Sequence, residues 1–448
     1  MARIGHAVVV GASVAGMVSA AALAGHAERV TVIDRDTLPE EPGARKGTPQ
    51  ARHLHSLMAS GQHALDALLP GVLDDLVAAG AVPVTAPEDN LWLSPVGWCT
   101  RFPGTHTVPS ASRDLMDWTL RRRVAALPGV TFTTGADVTG LLVDPAGAAV
   151  TGVRLRHRAG SAVEDVHADL VVDASGRGTR TPRLLAELGF GEPRRSVVDS
   201  RAAYSSRFYR IPADFGGDWR CISIGNEPPR TTRGGALIQV DGDRWLVSLF
   251  GYLGDHPPTD EAGFLEFAAS LRHSVLHDAI RAAEPAGPIH GFAHMANARW
   301  HYEELPAWPK NLLVLGDAAC ALNPVYAQGM SVAAMSAVAV REHLGRVEER
   351  PDCAEIQKAL ASTVDGAWTV AVGADHALLS PADAEIDEES RRVGEYMDRV
   401  LRVALVDAHV NKIFFDVMMM VEEPARLFAP DIAERAGQGP AKFTTATV

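Results

Sequence analysis

The stretch "VVVGASVAGMVSAAALAG" (residues 8–25) decides the fold, because a hydrophobic run passes through a tight pair of glycines into a run of small residues. The pattern predicts a buried strand over 7–10, a sharp turn over 11–16 and a helix over 15–24. A second apolar run over 29–33 predicts another strand. Residues 7–33 are therefore predicted to form a strand–helix–strand unit with a tight first turn.

The first turn has the spacing of a dinucleotide-binding site. Gly11, Ser13 and Gly16 follow the pattern G-x-G-x-x-G, with a small serine in the middle slot. An acidic residue ends the second strand about twenty residues further on, where it can accept a hydrogen bond from a ribose hydroxyl. The free N–H groups and the dipole of a helix N-terminus favour phosphates. The alternative is a glycine turn in an ordinary βαβ unit. The cofactor-binding residues predicted here are Gly11, Ser13, Val14, Ala15, Gly16, Asp34 and Arg35.

Composition and charge exclude several classes of protein. The chain has 448 residues, of which 47% are hydrophobic, and a formal net charge of −13. The length and composition are typical of a globular protein with two or three domains. The acidic balance argues against a nucleic-acid or anionic-membrane partner. Because the sequence shows neither a signal-peptide pattern nor an apolar run of bilayer length, we expect a cytoplasmic protein without an integral membrane segment. Four widely spaced cysteines predict free, buried thiols.

The remaining pattern predicts an α/β protein with an interrupted first domain. Alternating residues over 201–251 predict a separate antiparallel sheet, and helical periodicity dominates 354–436. The βαβ-like elements at both ends are predicted to form one domain that encloses the sheet. The predicted parts are a discontinuous dinucleotide-binding domain (1–80, 110–185 and 300–350), a substrate-binding β-sheet domain (81–109 and 186–299) and a helical C-terminal region (351–448).

A second motif identifies the dinucleotide. The stretch "LLVLGDAACALNPVYAQGMSVAAMSA" (residues 312–337) predicts a strand, a turn at 316–317, a loop and a helix from 329. It resembles the second FAD signature of the FAD-dependent monooxygenases of the para-hydroxybenzoate hydroxylase superfamily. The resemblance implies a Rossmann-like, GR2-type FAD-binding domain in which Gly316, Asp317 and Pro324 bind the cofactor and Asp317 accepts hydrogen bonds from the ribityl hydroxyls. It also implies that the N–H groups of Gly329 and Met330 face the N1/O2 edge of the flavin, where a helix N-terminus stabilises negative charge.

Further segments are similar to the same superfamily. Arg113 in "SRDLMDWTL" matches the helix whose arginine reaches the FAD phosphates. Asp173 lies in "DLVVDASGRGTR", which matches the strand that returns to the FAD domain. The loop "GTPQARHLHSL" and the phrase "LNPVYAQGMSVAAM" more specifically resemble bacterial polyene epoxidases, such as those of monensin and lasalocid biosynthesis, and related hydroxylases. Arg45, just before the loop "GTPQARHLHSL", and Gln50, within it, are further predicted cofactor contacts.

The resemblance implies a monooxygenase reaction. Reduced FAD would add O2 to form a C4a-hydroperoxide, which epoxidises or hydroxylates an apolar secondary-metabolite intermediate, with a polyene or polyketide favoured. NADPH or NADH supplies electrons, directly or through a separate flavin reductase. The protein must exclude water and orient the substrate. The catalytic candidates beside the flavin are Asn323, Pro324, Tyr326, Gln328 and His53. His53 and His55 have no evident third ligand, so no metal site is predicted.

Other interpretations stay open at this point. A flavin-dependent reductase of the geranylgeranyl-reductase type shares the FAD fold, and a non-catalytic FAD-binding accessory protein would keep the same phosphate turns. A flavin halogenase would carry a W-x-W-x-I-P segment and a catalytic lysine, and neither is found in the sequence. The segment 401–421, with two phenylalanines and three consecutive methionines, is either core or the adaptable wall of a tunnel for a long apolar substrate.

Overall fold

The computed structural model describes residues 4–160, 162–228, 230–293, 295–346, 351–379 and 388–440. The strands within these residues are β1 (Ile4–Val10), β2 (Ala27–Asp34), β3 (Val82–Ala86), β4 (Asn90–Ser94), β5 (Gly97–Trp98), β6 (His106–Ser110), β7 (Val130–Thr134), β8 (Ala136–Val143), β9 (Val150–His157), β10 (Val163–His167), β11 (Leu170–Asp173), β12 (Arg194–Val198), β13 (Ala203–Arg210), β14 (Cys221–Ile224), β15 (Arg233–Val240), β16 (Arg244–Gly251), β17 (His290–Phe292), β18 (Asn297–His301), β19 (Leu312–Val314) and β20 (Cys320–Ala321).

The helices in the same parts of the chain are α1 (Val14–Ala24), α2 (Ala59–Leu68), α3 (Val72–Ala78), α4 (Arg113–Ala125), α5 (Thr181–Glu187), α6 (Glu261–Ala269), α7 (Val275–Ile280), α8 (Gly329–Arg346), α9 (Cys353–Leu379), α10 (Glu388–Ala404), α11 (Ala408–Met418) and α12 (Pro430–Gln438).

A five-stranded parallel sheet, in the order β19-β11-β1-β2-β7, forms the centre of the fold. Both faces of this sheet are covered, which is why β1 is a continuous hydrophobic run rather than an alternating one. Val9 packs towards α1 and α8, whereas Val8 packs towards the antiparallel strands β8 and β9. The predicted strand–helix–strand unit at residues 7–33 is confirmed, as is the mixed α/β class.

A seven-stranded sheet, in the order β17-β13-β16-β15-β14-β4-β5, lies outside the parallel sheet. Its core packs against α6 and α7 around Trp245 and Phe264. The prediction of a purely antiparallel sheet is wrong at one pairing, because β14 and β4 run parallel. β4 comes from a segment far earlier in the chain, and parallel pairing needs a long connection of that kind. A further three-stranded sheet, β12-β18-β20, joins one strand that precedes β13 in the chain to two strands that follow β17.

The C-terminal helices α10, α11 and α12 share a small core of their own. Phe415 and Met419 are buried and pack with Cys99 and, more peripherally, Trp92. The segment 401–421 therefore contributes to a core between α11 and the strands β4 and β5, and it contributes nothing to the large cavity described below.

The cysteines and the helices add two further observations. Cys99, Cys221, Cys320 and Cys353 are buried and free, as their spacing predicts. None of the helices in the described ranges is both long and apolar enough to cross a bilayer.

Candidate functional site

A cavity of about 520 Å³ opens at the carboxyl ends of the parallel strands. It is lined by the residues that follow β1, β2, β11 and β19, and this edge is where open α/β sheets bind their ligands. The N-termini of α1 and α8 also border the cavity, at Val14 and Gly329. Two helix N-termini directed to one cavity make it suited to a ligand with negative charge. All residues predicted to bind a cofactor line this cavity except Gly16.

The glycines of the first turn are required by close packing within the protein. Gly11 has φ +103°, and a Cβ there would lie 2.5 Å from the Ala174 carbonyl oxygen. A Cβ at Gly16 would lie 1.8 Å from the carbonyl oxygen of Gly11. Both distances are shorter than any real contact, so a side chain at either position would disturb the turn itself. Gly16 therefore sets helix packing and lies outside the cavity lining.

Asp34 lies at the end of β2 and braces the turn. Its carboxylate accepts hydrogen bonds from the N–H groups of Ala12, at 2.6 Å, and Asp36, at 2.8 Å. Asp36 in turn accepts from the N–H of Gly47 at 2.7 Å, which fixes the start of the following loop. Asp34 and Arg35 both line the cavity, so the position predicted for a ribose contact is available to a ligand.

A buried network of charges joins three distant segments beside the turn. Arg113 donates to Ser13 Oγ at 2.9 Å and to Asp117 at 2.7 Å. Arg45 donates to the other Asp117 oxygen at 3.2 Å and to the Ala12 carbonyl at 3.1 Å. Burial raises the pKa of Asp117, but the two guanidinium groups outweigh this effect and hold that pKa below its usual value. Sequence reasoning found both arginines but missed Asp117, whose signal is its position four residues after Arg113.

The second motif brings Gly316 and Asp317 to the opposite wall of the cavity. Gly316 has φ +65°, and a Cβ there would lie 2.6 Å from Ala15 Cβ, so this turn packs directly on α1. Asp317 lies 3.7 Å from Arg177 Nε. Arg177 also donates to the carbonyls of Ala296 and Leu322, each at 2.7 Å. Arg177, in the turn after β11, therefore connects its own turn to the loops that contain Ala296 and Leu322.

Asp173 organises the return turn after β11. Its carboxylate accepts from the N–H of Ser175 at 2.9 Å and from the hydroxyls of Thr179 and Thr181. The side chain is buried, and the residue lines the cavity. The contacts that the structure shows for its carboxylate are contacts within the turn, so its predicted role in cofactor binding stays a prediction.

The catalytic candidates are divided by the structure. Pro324 lines the cavity, whereas Asn323, Tyr326, Gln328 and His53 do not. Asn323 and Tyr326 instead donate to the buried carboxylate of Asp375. Asn323, Tyr326 and Gln328 come from the loop that contains Pro324, and His53 comes from the early loop; their catalytic roles stay predictions.

Two histidines lie between the cavity and the seven-stranded sheet. His53 Nδ1 lies 2.8 Å from Ser206 Oγ, and its ring packs on Tyr204 with centroids 4.4 Å apart. His55 lines the cavity, and its Nδ1 lies 2.9 Å from the His53 carbonyl oxygen. Burial, followed by the positive charge of Arg113, lowers the pKa of His55 to about 4. The ring is thus neutral near pH 7, with Nδ1 donating to the carbonyl and Nε2 left as an acceptor.

Within the described residues, no group of three histidine, cysteine or acidic side chains is arranged to hold a metal ion.

Several solved structures that are similar to this chain are FAD-dependent enzymes. The myxobacterial chondrochloren halogenase CndH matches with a TM-score of 0.63 and 18% identity, over 98% of this chain and 97% of that chain. CmlS, a flavin-dependent halogenase, matches with a TM-score of 0.64 and 18% identity, over 94% of this chain and 77% of that chain. PqsL, a probable FAD-dependent monooxygenase from Pseudomonas aeruginosa, matches with a TM-score of 0.63 and 14% identity, over 84% of this chain and 95% of that chain. The chain has the fold of FAD-dependent halogenases and monooxygenases.

A closer relationship is found in sequence. Protein Rv3254 of Mycobacterium tuberculosis is 32% identical over 423 residues, which cover 90% of this chain and 86% of that protein. The chain belongs to the same family as Protein Rv3254. No family model matches the chain.

The charge network predicts a large effect of removing Asp117. Asp117→Asn leaves two buried guanidinium groups without their shared counter-charge, so we expect the free energy of unfolding to fall by about 3 kcal/mol. Urea denaturation of the purified variant measures this. Asp165→Asn, which breaks the exposed pair between Asp165 and Arg154, is the matched control and should leave the midpoint unchanged. Equal midpoints for Asp117→Asn and the wild type would contradict the buried network.

His53 predicts a dependence of stability on pH. Burial, followed by the charges of His55 and His290, lowers its pKa from 6.5 to about 3. Below pH 6.5 the unfolded chain therefore binds a proton at His53 that the folded chain does not bind. The contribution of the neutral His53 to the free energy of unfolding is complete above pH 6.5 and is lost as the pH falls towards 3. Between roughly pH 6 and 4, this histidine should contribute about 1.4 kcal/mol per pH unit to the slope of the free energy of unfolding against pH. Denaturation curves of the wild type and His53→Asn over this range measure the difference, and identical slopes would refute it.

Proposed function

We propose that the cavity binds FAD and that the protein is an FAD-dependent monooxygenase. The observation that carries the proposal is the convergence of the N-termini of α1 and α8, with Arg113 at one and Asp317 beside the other, on one cavity at the strand ends. In this arrangement the turn over 11–15 would hold the pyrophosphate, Asp317 would hold the ribityl chain, and Pro324 and Met330 would border the ring system.

The lining residues fit such a ligand. Thr48 Oγ1 is buried in the cavity wall and has no hydrogen-bond partner among the described residues, so it is available to a polar ligand atom. At Gly329 an added Cβ would come no closer than 3.9 Å to Asp317 Oδ1, which leaves the start of α8 open towards the cavity. The cavity volume of about 520 Å³ lies in the range of small-molecule and cofactor sites.

When bound, FAD supplies the activation of O2 and the transfer of one oxygen atom. The chain's own groups bind and orient the cofactor and exclude water. The α8 N-terminus places free N–H groups where negative charge on reduced flavin would develop. Phe292, Leu322 and Pro324 give the wall near that helix an apolar character, and the neutral His55 ring offers an acceptor without adding charge. This distribution of groups supports oxygen transfer to an apolar substrate.

We further propose that the substrate is an apolar secondary-metabolite intermediate, a polyene or polyketide, which is epoxidised or hydroxylated. The electrons come from NADPH or NADH, directly or through a separate reductase. We propose that residues 81–109 and 186–299 provide the substrate side of the site. Ser206 and Ser248 of the seven-stranded sheet hydrogen-bond to His53 and to the N–H of Leu54, and Leu54 lines the cavity. The missing W-x-W-x-I-P segment favours a monooxygenase over the halogenases that share the fold.

The reaction with O2 tests the proposed activity. Purified, photoreduced protein is mixed with oxygenated buffer in a stopped-flow spectrophotometer, and its flavin absorbance is followed. A monooxygenase should show a transient species between reduced and oxidised flavin, because its site shields the flavin from water. Direct reoxidation in a single phase would contradict the monooxygenase proposal and favour a reductase.

The open space at Gly329 allows the cofactor position to be tested without disturbing the fold. Gly329→Val places methyl groups at the start of α8, where they would intrude on the flavin. Apart from its chain neighbours and its own helix, the protein atom nearest to the new Cβ is Asp317 Oδ1 at 3.9 Å. We expect the dissociation constant for FAD to rise at least about tenfold, the equivalent of 1.4 kcal/mol, with little change in the folding of the flavin-free protein. Gly366→Val, at an exposed glycine of α9 with no atom within 4 Å of its Cβ, is the control. Wild-type FAD affinity in Gly329→Val would contradict the placement.

A further inference from the structure

A buried carboxylate outside the cavity holds the turn that forms part of its wall. Asp375 on α9 is 0% exposed. It accepts hydrogen bonds from Asn297 Nδ2 at 2.8 Å, Asn323 Nδ2 at 3.2 Å and Tyr326 Oη at 2.7 Å. Within the described parts of the chain it forms no salt bridge. A buried carboxylate without a cation is costly unless neutral donors solvate it, so these three donors and the carboxylate depend on one another.

The donors bracket a short turn. Asn323 precedes the 3-10 turn Pro324–Tyr326, and Tyr326 ends it. The next residue, Ala327, has φ +54°, a left-handed conformation that costs a non-glycine residue free energy and persists only where its surroundings impose it. Pro324 and Ala327 line the cavity, and α8 begins two residues later at Gly329. The hydrogen bonds to Asp375 therefore fix both ends of a turn that leads directly into the α8 N-terminus.

The same helix also holds the segment that precedes this turn. Gln357 lies 18 residues before Asp375, which is five helical turns, so the two side chains share one face of α9. The Gln357 amide accepts from the N–H of Val314 at 2.9 Å and donates to its carbonyl at 3.0 Å. Val314 is in β19, the edge strand of the parallel sheet. α9 thus anchors the chain on both sides of Gly316 and Asp317, once at β19 and once at the following turn.

We propose that Asp375 is a positioning residue for the flavin site: through Asn323 and Tyr326 it sets the place of the Pro324–Tyr326 turn and of the α8 N-terminus. Asp375 does not line the cavity, so it acts through the groups that it hydrogen-bonds. The inference rests on the proposed binding of FAD.

The sign of a change in reduction potential separates positioning from a direct charge effect. Asp375→Asn keeps the volume of the side chain but replaces one acceptor oxygen by a donor that faces other donors. If Asp375 positions α8, the helix N-terminus moves away from the flavin, and the potential of the bound flavin falls because reduced flavin loses stabilisation. If Asp375 acted only as a nearby negative charge, removing it would raise the potential.

The test compares bound flavin in the full-length wild type, Asp375→Asn, Tyr326→Phe and Glu355→Gln. We expect Asp375→Asn to raise the dissociation constant for FAD about tenfold, to shift the visible spectrum of the bound flavin and to lower its potential. Tyr326→Phe removes one of the three donors. It should change the dissociation constant, the spectrum and the potential in the same direction as Asp375→Asn, but by a smaller amount. Glu355→Gln makes the equivalent change of charge at an exposed position of α9 and should change none of them.

Each outcome decides the inference. An unchanged or raised potential in Asp375→Asn, with lowered thermal stability alone, would overturn it. If Asp375→Asn does not fold, the potential of Tyr326→Phe decides in the same way. A wild-type protein that binds no FAD would refute the proposed function as well. If the wild type binds FAD and the variants bind it with the same affinity, spectrum and potential, only the role of Asp375 is refuted.

Discussion

The site depends on the contact of three turns at the carboxyl edge of the parallel sheet. The turn after β1 packs on the turn after β11, with Gly11 against Ala174, and the turn after β19 packs on α1, with Gly316 against Ala15. At each contact a Cβ would lie within 2.6 Å of its neighbour, so only glycine fits. Segments some 300 residues apart in the chain are thereby brought to one cavity, and two helices are aimed at it.

Charge is distributed unevenly between this cavity and the rest of the molecule. The chain as a whole carries a net charge of −13. The cavity lining balances the arginines 35, 45, 113, 177 and 180 against the aspartates 34, 36, 137, 173 and 317. Since the lining is neutral in an acidic protein, and since two helix N-termini add partial positive charge, an anionic ligand is favoured there over the outer surface.

The local features of the fold follow from the sequence because short-range rules determine them. The glycine spacing and the apolar run at 8–25 predict β1 and α1 to within a few residues, and the motif at 312–337 predicts β19 and α8. Features that depend on distant partners could not be predicted in this way. The parallel pairing of β4 with β14, the sharing of Asp117 by two arginines, and the hold of Asp375 on Asn323 each join segments at least 50 residues apart or depend on side-chain direction.

The division of the catalytic candidates has the same cause. Pro324 and Tyr326 are two residues apart, yet one lines the cavity and the other points to α9, because a 3-10 turn sends successive side chains in different directions. The sequence motif predicted that this loop belongs to the site, and Pro324 and Ala327 of the loop line the cavity. It could not tell which of its side chains face the ligand and which ones support the loop.

The central claim is that one cavity holds FAD, with the pyrophosphate at α1 and the flavin ring near α8. Calorimetric titration of flavin-free protein with FAD and with FMN tests it most directly, since FMN lacks the adenosine part and the second phosphate. The account predicts one FAD per chain, with FMN bound at least about a hundredfold more weakly, the equivalent of about 2.7 kcal/mol. Equal affinity for FMN, or no binding of FAD, would contradict the account.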